Sequence, residues 1–199
     1  SEHMARPAYS ENQLTAKERL KEAFWLLLSE HRYSQITVKR LSQAAQVNPN
    51  TFYYHYDSMD DLASDALNDE KLYEIPSIIH EKFLSTDQTA LHEALGYVVI
   101  GDRWKRIRLF VNSDSMILRQ HLYDMMEQFW LSLIGIQKEA LSGEDLLDLS
   151  FILHGAMAII EQQKEQYSFD FINALPDRPL GQGILQTLEA LALKHQRMN

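Results

Sequence analysis

The sequence predicts an all-α fold, with a three-helix helix-turn-helix head followed by a larger helical body. Three observations predict it. Apolar residues recur at three- and four-residue spacing along most of the chain, and no segment alternates with the period of a half-buried strand. Capping signals stand where those periodic stretches begin, as at Thr15 and Ser115. Two short amphipathic stretches, separated by about three residues and opened by Thr37 and by Asn48-Pro49, give the pattern helix, tight turn, helix.

Thr15-Ala16-Lys17-Glu18 has the form of a capping box, and Leu20, Ala23, Phe24, Leu27 and Leu28 carry a helical face on to about His31. Ahead of it, residues 5–13 read as a loose arm with one basic residue, Arg6, and Ser1-Glu2-His3 before Met4 has the look of a tag remnant. Thr37 is placed to cap a short helix with Val38, Leu41 and Ala45 on one face, ending near Gln46. Asn48 then caps the next helix. Pro49 occupies the first helical position, where a missing N–H costs nothing. This second helix presents Asn50, Thr51, Tyr53, Tyr54 and His55, while Phe52 and Tyr56, at i and i+4, mark its inward face. Short or flat polar side chains with few carboxylates suit a major groove lined by acceptors and flanked by phosphates.

The run Thr37, Val47-Asn48, Thr51-Phe52-Tyr53-Tyr54-His55-Tyr56 and Asp60-Asp61-Leu62 resembles the TetR family of bacterial transcriptional regulators, over roughly residues 15–62. The resemblance implies a ligand-responsive DNA-binding regulator, most often a repressor released from its operator by a small molecule. Its partners would be palindromic double-stranded operator DNA, a second copy of the chain and an unidentified effector. The implied domains are a DNA-binding head over 13–57 and a ligand-binding and dimerisation body over 58–199. Candidate DNA contacts are Thr37, Lys39, Arg40, Asn48, Asn50, Thr51, Tyr53, Tyr54 and His55. Thr37, Lys39 and Arg40 stand at a helix start, where free N–H groups and the dipole favour phosphate. The family usually has Gly where this chain has Gln46. A Gln at positive φ costs on the order of 1 kcal/mol, so either the turn is differently shaped or the packing holds the strain. A Lys near the next helix start, common in the family as a phosphate contact, is not supplied by Asp57, Ser58 or Met59.

Charge is divided in a way that fits this reading. The chain carries −9 overall, but residues 1–56 carry +2 and residues 57–199 carry −11. A mildly basic head on an acidic body is the footprint expected when only the head meets phosphate.

After the head, Ser58-Met59-Asp60-Asp61 opens a helix through Leu62, Ala66, Leu67 and Leu72 that kinks or ends at Pro76. The stretch from Leu67 to Phe83 is the expected lever between body and head. Further helices are predicted over 91–100, 102–111, 115–141, 144–166 and 180–195, with Ser142-Gly143 and a loop around Pro176 and Pro179 as breaks. Trp104, Phe110, Asn112, His121, Met125 and Phe129 are candidate ligand contacts, an excess of flat and flexible side chains with polar groups between them. The acidic body points to a neutral or cationic flat apolar effector. Leu153, Met157, Ile160, Ile184, Leu188 and Leu191 are the candidate dimer interface.

Other classes find little support. There is no cysteine, so disulfides, thiolate metal sites and thiol nucleophiles are excluded. His80-Glu81 and His92-Glu93 open metalloprotease-like pairs without the second His, and Gly181-Gln182-Gly183 lacks the third glycine of a phosphate loop. The expectation is therefore a cytoplasmic non-enzyme without cofactor, metal or membrane span. The alternatives are a regulator whose body answers to a protein partner, or an enzyme that happens to contain a helix-turn-helix.

Overall fold

The computed structural model describes residues 14–162 and 164–196, so the arm expected over 5–13 lies outside the described residues. Among the described residues eleven α-helices run in order: α1 (Ala16–Glu30), α2 (Val38–Ala44), α3 (Pro49–His55), α4 (Met59–Asn68), α5 (Ser77–Leu84), α6 (Ala90–Val98), α7 (Arg103–Val111), α8 (Met116–Ile134), α9 (Gly143–Ile160), α10 (Glu165–Ala174) and α11 (Pro179–Gln196). No strand occurs among the described residues. The chain divides into two compact units between Ala63 and Ser64, inside α4.

In the first unit, α1 packs on α2 and α3. The capping box at its start is formed in full: Glu18 N–H donates to Thr15 Oγ1 at 3.2 Å and Thr15 N–H to Glu18 Oε2 at 2.7 Å. Those hydrogen bonds, led by the one from the Thr15 backbone, hold the Glu18 carboxyl below its ordinary range. Leu20, Phe24, Leu41 and Phe52 are fully buried and form the centre of this small core. Tyr33 stands edge-on to Phe24, with centroids 6.4 Å apart, and its hydroxyl donates to Asp60 at the start of α4. Burial, followed by that bond to a carboxylate, pushes the phenol far above its ordinary pKa.

The second unit is arranged around α8, which packs on α5, α7, α9 and α11. Its buried face, Leu118, Leu122, Met125, Phe129 and Leu133, is the one the spacing predicts. The helix stops at Ile134, seven residues short of the predicted Leu141, because Gly135 takes φ 69° and caps it. Gly135 N–H donates to Ser132 O at 3.3 Å and Ile136 N–H to Leu131 O at 3.1 Å, the paired bonds of a Schellman motif.

Two further boundaries differ from the sequence reading. Helix α4 ends at Asn68 rather than passing Leu72, because Asp69 and Glu70 place carboxylates at its negative end and Lys71 takes φ 50°. Pro76 is therefore no kink; it is the residue preceding α5, with α4 and α5 separated by a non-helical segment. The chain also bends after Ile160, where the prediction ran on to Gln166, and forms α10 where a loop was expected. Helix α10 packs on α6 and α9, and buries Ile172 together with the following Leu175.

The segment after α4 is fastened to the body by charge. Glu70 is buried, and its carboxylate meets Arg103 Nε at 3.6 Å and the Arg106 guanidinium. Arg103 Nη2 also donates to the Glu70 carbonyl at 2.8 Å, and its guanidinium lies 4.5 Å from the Tyr97 ring centroid. The Tyr97 hydroxyl donates to the Lys71 and Glu74 carbonyls at 3.1 and 3.0 Å. Arg108 Nη1 likewise turns inward and donates to Ile160 O at 2.9 Å.

Candidate DNA-binding surface

Helices α2 and α3 are joined through a second Schellman motif. Gln46 N–H donates to Gln43 O at 3.1 Å and Val47 N–H to Ser42 O at 3.0 Å. Gln46 occupies the left-handed position, with φ 55°. Of the two possibilities left open by the sequence, the turn has its ordinary shape and the packing holds a strained non-glycine residue. The Gln46 carbonyl accepts from Arg19 Nη1 of α1 at 3.4 Å, which adds a tie from the supporting helix.

Thr37 Oγ1 accepts from Arg40 N–H at 3.2 Å, and Asn48 Oδ1 accepts from Asn50 N–H at 2.9 Å. Each cap sets the start of its helix, so the relative placement of α2 and α3 is fixed by local bonds as well as by the core. Phe52 and Tyr56 are buried, and the opposite face of α3 is left outward: Asn48, Asn50, Tyr53 and Tyr54 are exposed, with Thr51 and His55 half-buried. Tyr54 is 84% and Tyr53 61% exposed, high for side chains that gain from burial, and both lie beside Asn50 on one short helix. Tyr53 is braced edge-on against Phe52 with centroids 5.3 Å apart, and Tyr54 stands edge-on to His55 at 5.0 Å. Lys39 and Arg40 are exposed in the first turn of α2, Arg40 reaching back to Gln35 O at 3.4 Å.

Residues 23–66, which span this arrangement, match the family described as bacterial regulatory proteins, tetR family. The chain carries a TetR-family head. Two solved structures also resemble the whole chain: the dihydroxyacetone kinase operon activator DhaS, 16% identical with a TM-score of 0.43, and the TetR family repressor AlkX from Dietzia sp. strain DQ12-45-1b, implicated in biodegradation of n-alkanes, 14% identical with a TM-score of 0.39. Each alignment covers 94% of this chain and 98% of the other. No curated protein matches the chain.

Beyond the TetR-family head, the six candidate ligand contacts of the body fall in separate places. Phe110 and Phe129 are fully buried in the core of the second unit. Asn112 is exposed at the end of α7, where its amide donates to Arg108 O at 3.1 Å. His121 and Met125 line a cleft of about 260 Å³ with Leu67, Tyr73, Asp124 and Gln128. Trp104 lines another cleft, of about 590 Å³, facing Phe169 of α10. Phe169, which shares that second cleft with Gln166, was missed because the stretch after the predicted 144–166 helix was read as loop.

The interface residues need correction. Leu153, Ile160, Leu188 and Leu191 are buried within the protomer, and only Met157 and Ile184 are partly exposed. The face of α9 left outward is Leu147, Phe151, Gly155 and Ala158, with Leu147 and Phe151 71% and 80% exposed. On α11, Leu180 is exposed in the same way. The apolar periodicity read as an interface is a face packed within the protomer, and α9 carries a second apolar stripe on its outward side. At the ends of these helices Asp145 receives Lys194 Nζ at 2.9 and 2.8 Å and lies 3.7 Å from His195 Nε2. The Lys194 ammonium, then the bonds from Ser142, draw the Asp145 carboxyl down to about 2.

Proposed function

We propose that this DNA-binding regulator acts in the bacterial cytoplasm as a homodimeric repressor of palindromic operator DNA, released by a small molecule that enters the body. Residues 13–57 are the DNA-binding domain, and 58–199 the ligand-binding and dimerisation domain. The observation that supports it most is the outward face of α3, where two tyrosines and Asn50 stand exposed beside the Lys39-Arg40 turn of α2. Tyr53, Tyr54, Asn50, Thr51 and His55 read base edges, while Thr37, Lys39, Arg40 and the Asn48 cap hold phosphates.

A single short helix meets too few base pairs for useful selectivity, and two-fold operators require recognition helices about 34–36 Å apart. The outward stripe of Leu147, Phe151, Gly155 and Ala158 supplies an apolar, small-residue surface on which a second α9 can lie closely. An effector then acts by preferring the state in which that spacing is wrong, and only its differential affinity for the two states shifts the balance. Among the described residues no helix is long and apolar enough to cross a membrane.

The test is operator selection followed by titration. Tyr54→Ala weakens the selected operator by about 1–3 kcal/mol with little effect on unrelated duplexes. Lys39→Ala weakens all duplexes alike and lowers the slope of log K against log salt by about 0.9. Unchanged affinity and salt slope in both variants contradicts the assignment.

A further inference from the structure

The cleft of about 590 Å³ between the α6–α7 turn and α10 has the size and lining of a small-molecule site. Its walls are Val99, Gly101, Trp104, Lys105, Gln166 and Phe169. Trp104 and Phe169, from elements far apart in sequence, stand edge to face with centroids 6.0 Å apart and planes at 67°. They form an angled aromatic wall. The Trp104 N–H is sealed from solvent and has no hydrogen-bond partner, so Trp104 offers the cleft its ring and not a donor. The polar side chains are the Lys105 ammonium and the Gln166 amide, and one N–H of that amide already donates to Asp170 Oδ1 at 2.8 Å.

Charge decides what such a cleft takes. Gly101, Trp104 and Lys105 belong to the turn into α7 and its first residues, where the helix dipole is positive, and Asp102 makes no side-chain capping bond there. Lys105 meets Asp102 at 3.7 Å, but both side chains are mostly exposed, and such pairs contribute little. Lys105 is therefore free to exchange that partner for a better-placed anion. The negative charge of the body as a whole is screened beyond about 8–10 Å, so it does not set the sign inside the cleft.

We propose that this cleft binds aromatic carboxylates, with the ring against Trp104 and Phe169 and the carboxylate on Lys105. This deepens the reading that a small molecule controls the regulator and rests on it. The residue between Asp102 and Trp104 is Arg103, whose guanidinium holds Glu70, two positions beyond the end of α4. An occupant that shifts the first turn of α7 is felt directly by the chain leaving α4.

Calorimetric titration of the full-length protein with 2-naphthoate and its neutral counterpart 2-naphthamide tests the site. The expected result is one saturable naphthoate site per chain. Lys105→Ala, an exposed position that does not threaten folding, weakens naphthoate roughly fivefold and leaves naphthamide unchanged. Phe169→Ala weakens both, with melting curves recorded to show that α10 remains folded, and His121→Ala in the other cleft weakens neither. Binding weaker than about 1 mM, or naphthoate binding that Lys105→Ala leaves unchanged, overturns the site. Naphthoate binding lost with His121→Ala instead also overturns it, while leaving the effector reading standing. Operator affinity at saturating naphthoate is the separate readout: no change with the site confirmed refutes control by this ligand class and not the site.

Discussion

Replacing Gln46 by Gly isolates the strain held in the turn between α2 and α3. Gln46 sits at φ 55°, where a non-glycine residue costs about 1–2 kcal/mol relative to glycine. Glycine gives back part of that difference through the wider freedom of its unfolded chain, about 0.4–1 kcal/mol. The hydrogen bonds of the turn, Gln46 to Gln43 and Val47 to Ser42, and the one from Arg19 use only backbone atoms of residue 46, so all survive the substitution. The net expectation is a gain of about 0.5–1 kcal/mol, which for a chain of this length raises the melting temperature by roughly 1–4 °C. Gly135 already forms the same motif at φ 69° and shows that glycine meets its geometry. Gln46→Val, a β-branched side chain at positive φ, should lose at least about 1 kcal/mol by the same reasoning. Thermal and urea melts followed by circular dichroism give the stabilities, and operator affinity of Gln46→Gly should stay within about twofold of the wild type, well inside 1 kcal/mol. A glycine variant no more stable than the parent, together with a valine variant as stable as the parent, would refute the assignment of strain to this residue.

Phe151→Asp places a charge on the outward stripe of α9 and should leave a folded monomer, weakening self-association on the order of 100-fold; sedimentation of the wild type as a monomer at micromolar concentration would end the interface proposal. Asp145→Asn removes an acceptor of Lys194 and should cost about 1–2 kcal/mol near neutral pH. Because the folded carboxyl lies near 2 against an ordinary 3.8, its contribution is complete above about pH 4 and is lost as pH falls through that interval. The variant should therefore show a flatter acid limb in denaturant titrations, and an unchanged limb would show that the pair does not couple to folding. Gly135→Ala should destabilise by about 1–3 kcal/mol, since its Cβ would lie 2.6 Å from His80 Cε1 at a φ that alanine disfavours; a melt matching the parent would count against both terms.

Much of the head was legible because its information is local. Thr15, Thr37, Asn48 and Pro49 announce helix starts by their own chemistry, and each does so in the structure. Phe52 and Tyr56 identify the inward face of α3 by spacing alone. Gln46 was different: its side chain gives no sign that the backbone turns left-handed there, and only the three neighbouring bonds force it. In the body, the same signals were present and were outweighed by apolar periodicity. Asp69-Glu70 at the end of α4 and Gly135 within a long apolar run were terminators, yet hydrophobic spacing continued across both. Phe169 and Ile172 of α10 and the following Leu175 stand at helical spacing, but the polar run before them and Pro176 after them suggested loop. Which face of α9 meets solvent depends on where α8 and α11 lie, and periodicity within one helix does not contain that information.

The fastening of Glu70 by Arg103 and Arg106 constrains how this sequence can drift. Losing Glu70 alone would leave the mostly buried Arg103 guanidinium without its carboxylate, and losing Arg103 alone would leave Glu70 to Arg106 and Tyr97 without its cation. Losing Glu70 is the costlier step, since a buried charge without its partner is worse than none. Exchange of the group for apolar residues of similar volume can be nearly neutral, but only when the changes arrive together. These positions form a block that is inherited intact or replaced intact. In a lineage of such chains, a Leu or Met at position 70 should be accompanied by uncharged residues at 103 and 106, and a mixed set should be rare.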